Sequence, residues 1–216
     1  RNFMHYSVIV IGEDPETQLE PYDENLEVER YLRASKADLI REVKERFRYE
    51  VGHGEWINYV KDRTAWLKEH EKDQNLITRV ETLDKRFLWT DEEWYFHAIE
   101  YSDDIDPDDG GEYSTRNPDG KWDWYEIGGR WGGDIELNDG TTADTALVKD
   151  IKNLDTLHSY YLLNNGVWEG PDDGFNWRVN DYEELRAREA DFENHIKEVL
   201  KSLSPETRLT IVDVHS

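Results

Sequence analysis

Four consecutive apolar residues, Val8-Ile9-Val10-Ile11, lie inside the segment His5 to Gly12 (HYSVIVIG), and this run constrains the fold more than any other feature of the chain. A strand with one wet face alternates apolar and polar residues, whereas an unbroken apolar run fits a strand buried on both faces. The run therefore belongs at the centre of a sheet that is covered on each side. A second strand signal, Arg208 to Val214 (RLTIVDV), closes the chain after Pro205.

The stretch between these strands reads first as helical. Glu13 to Asn25 holds Pro15 and Pro21 and reads as a loop. Ser35 is placed to cap a helix over about 36–50, with Leu39, Ile40, Val43 and Phe47 on one face. A second helix is expected from about Glu55 to Lys72, carrying Trp56, Val60 and Leu67. Thr90 with Glu93 forms a capping box that opens a third, whose inner face takes Trp94, His97, Ala98 and Tyr101.

Residues 102–120 read as a surface loop, and strand signals then return. Trp122 to Tyr125 alternates, Asp134 to Leu137 leads into Asn138-Asp139-Gly140, and Ser159 to Leu163 runs into Asn165-Gly166 before Val167 and Trp168. The Asn-Gly pair signals a hairpin because both residues tolerate the positive φ of a type I′ turn. Asn180 with Glu183 is placed to cap a helix from Asp181 to about Leu203, burying Leu185, Phe192, Ile196, Leu200 and Leu203. The order of elements predicts one α+β domain over 1–216. Its expected type is ferredoxin-like, a split β-α-β arrangement with an antiparallel or mixed sheet and a helical insert at about 35–101.

Composition narrows the chemistry. Only 37% of the 216 residues are hydrophobic, so nine Trp, twelve Tyr and six Phe must supply much of the buried area. There is no Cys, which excludes disulfides, thiolate metal sites and a Cys nucleophile. No apolar run approaches the ~20 residues that span a bilayer, and no signal-peptide pattern opens the chain, so a cytoplasmic protein with no membrane contact is expected. Met4 reads as a natural start, with Arg1, Asn2 and Phe3 ahead of it. The net charge of −24 argues against direct nucleic-acid binding, which needs Lys and Arg, and favours a partner with a basic surface. Solubility or a salt-rich habitat would account for the same charge.

The densest cluster is Lys121 to Gly133, KWDWYEIGGRWGG. Strand alternation places Trp122 and Trp124 on one face and Asp123 and Tyr125 on the other, and Gly128 and Gly129 allow a sharp turn before Arg130 and Trp131. A guanidinium among aromatic planes is suited to a phosphate or a nucleobase, so Trp122, Trp124, Tyr125, Arg130 and Trp131 are the candidate ligand-binding residues. A Trp-rich strand packed under helices is the competing structural reading. Asp104, Asp106 and Asp108 begin like a calcium-binding loop, but Asp109 and Thr115 stand where that loop needs Gly and Glu. Asp103, Asp104, Asp106, Asp108 and Asp109 are instead candidates for protein interaction. No metal, cofactor or catalytic residue is implied; His5 with Asp123 or Glu126 is the acid–base pairing that would need the fold to assemble it.

Three stretches, HYSVIVIGED with Gln18-Leu19-Glu20-Pro21-Tyr22, KWDWYEIGGRW, and Arg208 to His215, resemble a group of uncharacterised proteins from bacteriophages and bacteria. The resemblance implies a phage or mobile-element source and hence the host cytoplasm, and it implies no activity. By analogy with small acidic phage proteins, the leading expectation is an accessory protein that binds, an inhibitor of a host nucleic-acid-handling or defence complex of DNA-mimic or anti-CRISPR type. The alternatives are a nucleotide-binding or nucleotide-processing protein built on the Trp and Arg residues, and a structural protein or homodimer.

Overall fold

A computed structural model describes residues 4–171 and 182–215, the side chains of 182–185 excepted. In chain order the strands and helices are β1 (His5–Ile11), α1 (Pro15–Leu19), β2 (Glu27–Ala34), α2 (Lys36–His53), α3 (Glu55–Lys61), α4 (Arg63–Glu69), α5 (Gln74–Arg86) and α6 (Asp91–Ile99). There follow β3 (Glu112–Arg116), β4 (Trp124–Ile127), β5 (Ile135–Glu136), β6 (Thr142–Ala143), β7 (Thr145–Leu147), β8 (Tyr161–Asn164), β9 (Val167–Glu169), α7 (Tyr182–Ser202) and β10 (Arg208–His215). The chain divides into two compact units, one made of 1–28 and 116–216 and the other of 29–115. The second is wider than the expected helical insert because it takes in most of β2 and β3, which pair with each other.

The first unit is an α+β body around a six-stranded mixed sheet in the order β4-β10-β1-β8-β9, with β7 pairing the start of β10. As the apolar run requires, β1 is central, antiparallel to β10 and parallel to β8, and Val8 to Ile11 are buried. Alternation along β1 and β10 divides the core in two. Ile9, Ile11, Leu209 and Ile211 meet Ile196 and Leu200 of α7, while Val8, Val10, Val212 and Val214 meet Leu19 and Trp122. β9 leads through α7 into β10, and the ladder directions make those two strands parallel with β8 and β1 between them. The Asn165-Gly166 hairpin forms with φ of 50° and 82°, the pair of positive values that a type I′ turn demands. The cap expected at Asn180 and Glu183 and the packing of Leu185 lie outside the described residues.

The second unit is held by its caps and aromatics. Ser35 and Thr90 each form a full capping box, with Asp38 and Glu93 respectively. The helix expected over 55–72 is broken at Asp62, whose side chain accepts from the Ala65 N–H at 3.0 Å and starts α4 as a separate helix. Tyr101, expected inside, is 84% exposed because α6 ends at Ile99. Two expected loops also hold regular structure: Glu13 to Asn25 contains α1, with Pro15 at its first turn, and 102–120 contains β3.

Candidate functional site

The strand register brings together residues about 210 positions apart in sequence. In the β1–β10 ladder His5 lies opposite His215 and Ser7 opposite Asp213, and in the β10–β4 ladder His215 lies opposite Trp124. His5, Ser7, Asp213, His215 and Trp124 thus project from the face that carries Ile9, Ile11, Leu209 and Ile211. Toward the other end of that face α7 covers the apolar residues; at this end the sequence turns polar.

Each histidine is held by a carboxylate. His5 Nδ1 donates to Asp213 Oδ1 at 2.8 Å, and the Arg130 N–H donates to Asp213 Oδ2 at 3.0 Å, so both oxygens of a residue only 2% exposed are engaged. His215 Nδ1 donates to Asp123 Oδ1 at 2.5 Å. Because an ionised carboxylate only accepts, Nδ1 carries the proton in each ring and Nε2 is the nitrogen left for proton exchange. The two ring centroids are 5.2 Å apart, and the Trp124 ring stands edge-on to His5 at 6.4 Å.

The glycines of the central block serve these carboxylates. Gly129 has φ of +51°, and a Cβ there would overlap the Asp213 side chain, lying 2.7 Å from Oδ2 and 3.0 Å from Cγ. Gly128 is equally tight against Asp144, whose Oδ1 accepts the Gly133 N–H at 2.7 Å. The turn Gly129–Trp131 is therefore wrapped on two aspartates, and its backbone fixes the group that orients His5.

His5 and Ser7 open on a cleft of about 640 Å³ with walls from Tyr6, Tyr160, Trp131 and Phe192. Asp134, Glu189 and Glu193 add charge to its lining, and His158 adds an imidazole. Glu193 bonds Lys197 at 2.7 Å and lies 3.1 Å from His158; the Lys197 ammonium holds its carboxyl below the usual range. Among the described residues, no group of three His, Asp or Glu side chains is placed to hold a metal ion.

No family model, curated protein or solved structure matches this chain.

Of the five candidate ligand-binding residues, three lie with the histidines and two do not. Trp124 is 48% exposed beside His5, Trp131 lines the cleft, and Arg130 supplies the amide that holds Asp213. The Arg130 guanidinium is exposed and has no ion pair or hydrogen bond among the described residues. Trp122 is 7% exposed in the opposite layer, its indole N–H donating to the Leu19 carbonyl at 3.2 Å, and Tyr125 packs edge-on against it at 4.9 Å. Trp122 and Trp124 do not share a face because β4 begins only at Trp124, after Trp122 has bridged to Asp23. Burial raises the Tyr125 hydroxyl above its ordinary range.

The acidic loop is largely closed on itself. Asp104 takes a bidentate bond from Arg30 at 2.9 and 3.0 Å, Asp106 accepts the Asp108 N–H, and Asp109 accepts from the Gly111 N–H and the Tyr113 hydroxyl. Those bonds hold Asp104 and Asp109 below the usual carboxylate range, Asp104 through Arg30 and Asp109 through the Gly111 amide. Sequence reasoning did not find Asp213, Ser7 or the α7 wall of the cleft. The signal available was Asp213-Val214-His215: alternate residues share a face, and an antiparallel partner would set them against His5.

Proposed function

We propose that this protein processes a nucleotide by acid–base catalysis at His5 and His215. The observation that carries the proposal is the pair itself: two imidazoles 5.2 Å apart, each fixed at Nδ1 by a carboxylate, beside an aromatic cleft. A histidine so oriented presents Nε2 for proton transfer, and two of them supply a base and an acid to one reaction. In phosphoester cleavage the neutral ring takes the proton of the attacking hydroxyl or water, whose oxygen bonds phosphorus. The bond from phosphorus to the leaving oxygen breaks, and that oxygen takes the proton of the second, protonated ring. The pair ends with its protonation exchanged. Among the described residues Arg130 is a cation available to the phosphate, and Trp124 offers a ring face to stack.

Three further points support this reading. The N-terminal, central and C-terminal stretches that resemble the phage and bacterial group meet at this one place, as β1, β4 with its glycine turn, and β10. The β9–α7–β10 crossover with strands between supports an enlarged ferredoxin-like kinship, from which the parallel β1–β8 pair departs. A chain without Cys suits the cytoplasm.

The test is product analysis by chromatography after incubation with nucleoside mono- and triphosphates, cyclic nucleotides and short oligonucleotides. Turnover that falls by about 10²-fold or more in both His5→Ala and His215→Ala supports the proposal. Folded protein that turns over none of these substrates overturns it.

A second reading, an acidic inhibitor of a host complex with a basic surface, draws on where the charge lies. Residues 1–28 and 116–216 hold 28 carboxylates against 12 lysines and arginines. Capture of a nucleic-acid-handling complex that moderate salt releases, undiminished in His5→Ala, would favour it.

A further inference from the structure

We infer that the cleft beside His5 is a nucleobase subsite and that the base it selects is guanine. This rests on the nucleotide reading of the histidine pair and specifies which nucleotide it acts on. A space of about 640 Å³ lined by Tyr160, Trp131 and Phe192 has the size of a small-ligand site and aromatic side chains suited to stacking.

The polar groups decide the rest. Glu193 is engaged by Lys197 and His158, but the side chains of Asp134 and Glu189 have no hydrogen bond or ion pair among the described residues. Two carboxylates are poor neighbours for a phosphate, which places the phosphate outside the cleft, toward the histidine pair and the Arg130 turn. Carboxylates only accept, so the group that enters must present hydrogen-bond donors, which on a base are N–H groups. Among the neutral bases, guanine alone carries two adjacent donors, N1–H and the exocyclic amine, which one carboxylate can take as a bidentate pair. Adenine and cytosine set an acceptor beside their amine. Uracil flanks its single N–H with two carbonyls. In each of those three the carboxylate meets an oxygen or nitrogen lone pair.

Binding of free nucleosides tests the subsite without involving phosphate chemistry. Guanosine, adenosine, cytidine and uridine are titrated into the full chain by calorimetry, with quenching of Trp fluorescence as the second readout. Guanosine should bind at least about 10-fold more tightly than the others. That preference should vanish in Asp134→Asn combined with Glu189→Gln and persist in Glu206→Gln, which removes an exposed carboxylate outside the cleft, with circular dichroism melts confirming that each variant is folded. Equal binding of all four nucleosides, or none, overturns the inference. So does binding of agmatine with the same carboxylate dependence and no guanosine binding, which would make the cleft a site for guanidinium groups. Guanosine selectivity without nucleotide turnover would retain the subsite and remove the catalytic reading; turnover without base preference would do the reverse.

Discussion

Replacing Gly129 with Ala isolates the contact on which the candidate site depends. Two penalties arise. The first is backbone strain: φ of +51° is a left-handed conformation, costing a residue with a Cβ about 1–2 kcal/mol. The second is overlap, since the new methyl would stand 2.7 Å from Oδ2 and 3.0 Å from Cγ of a buried aspartate. Forcing a methyl into such a place costs about 1–3 kcal/mol more, giving about 2–5 kcal/mol in all. Gly140→Ala is the matched control: its φ is +82°, but nothing lies within 4 Å of its Cβ, so only strain applies. Urea denaturation of both variants, followed by Trp fluorescence, should place Gly129→Ala well below Gly140→Ala. Relief of the overlap moves Asp213 and with it His5, and a displacement of about 1 Å at a catalytic group costs about 10²-fold in rate. Equal midpoints for the two variants, together with wild-type turnover in Gly129→Ala, would refute the role assigned to the turn.

Other perturbations read other parts of the same argument. Asp213→Ala leaves the Arg130 amide and His5 Nδ1 without an acceptor, so it should lower stability by about 1–3 kcal/mol per buried group in urea titrations and abolish turnover with it. Leu200→Ala removes a fully buried side chain under the sheet and should cost about 2–5 kcal/mol in the same assay while sparing any folded-state activity. Acid should weaken the helical unit: hydrogen bonds from Ser35 and Thr90 hold Asp38 and Glu93 below their ordinary range in the folded chain. Their contribution is complete above the unfolded carboxylate pKa and is lost as pH falls through the lowered folded values. Thermal melts of the full chain at neutral and acid pH should show that loss, and it should be smaller in Ser35→Ala; a parallel loss in both proteins would count against it.

What was legible in the sequence was local. The β1 run, the Ser35 and Thr90 boxes, the Asn165-Gly166 turn and the closing strand all follow from interactions within a few residues, and each formed. β2 was not readable because its exposed and half-buried positions follow no period of two. Apolar spacing ran through Asp62, yet a helix can be restarted by a single side chain that caps it. Trp122 was misplaced because alternation holds only within a strand, and its ties to the 19–23 segment keep it outside β4. The candidate site was the least legible part: His5 and Asp213 are 208 positions apart, and only the β1–β10 register makes them neighbours.

The charge of the chain bears on both functional readings, and salt separates them by sign. With −24 overall, the protein repels an approaching nucleotide at long range and attracts a basic partner. Salt at 0.1 M screens interactions beyond about 10 Å but spares close contacts such as a phosphate on Arg130 or a base stacked in the cleft. Raising salt from low to moderate should therefore leave the affinity for a small nucleotide unchanged or improve it, because what is screened is repulsion. The same change should weaken a complex with a basic surface and slow its formation, because what is screened is attraction. Calorimetric titration of a guanine nucleotide at several salt concentrations gives the sign directly. An affinity that falls steeply with salt would mean that many exposed cations, and not Arg130 with the stacking rings, hold the nucleotide, and would remove the nucleotide reading in its present form.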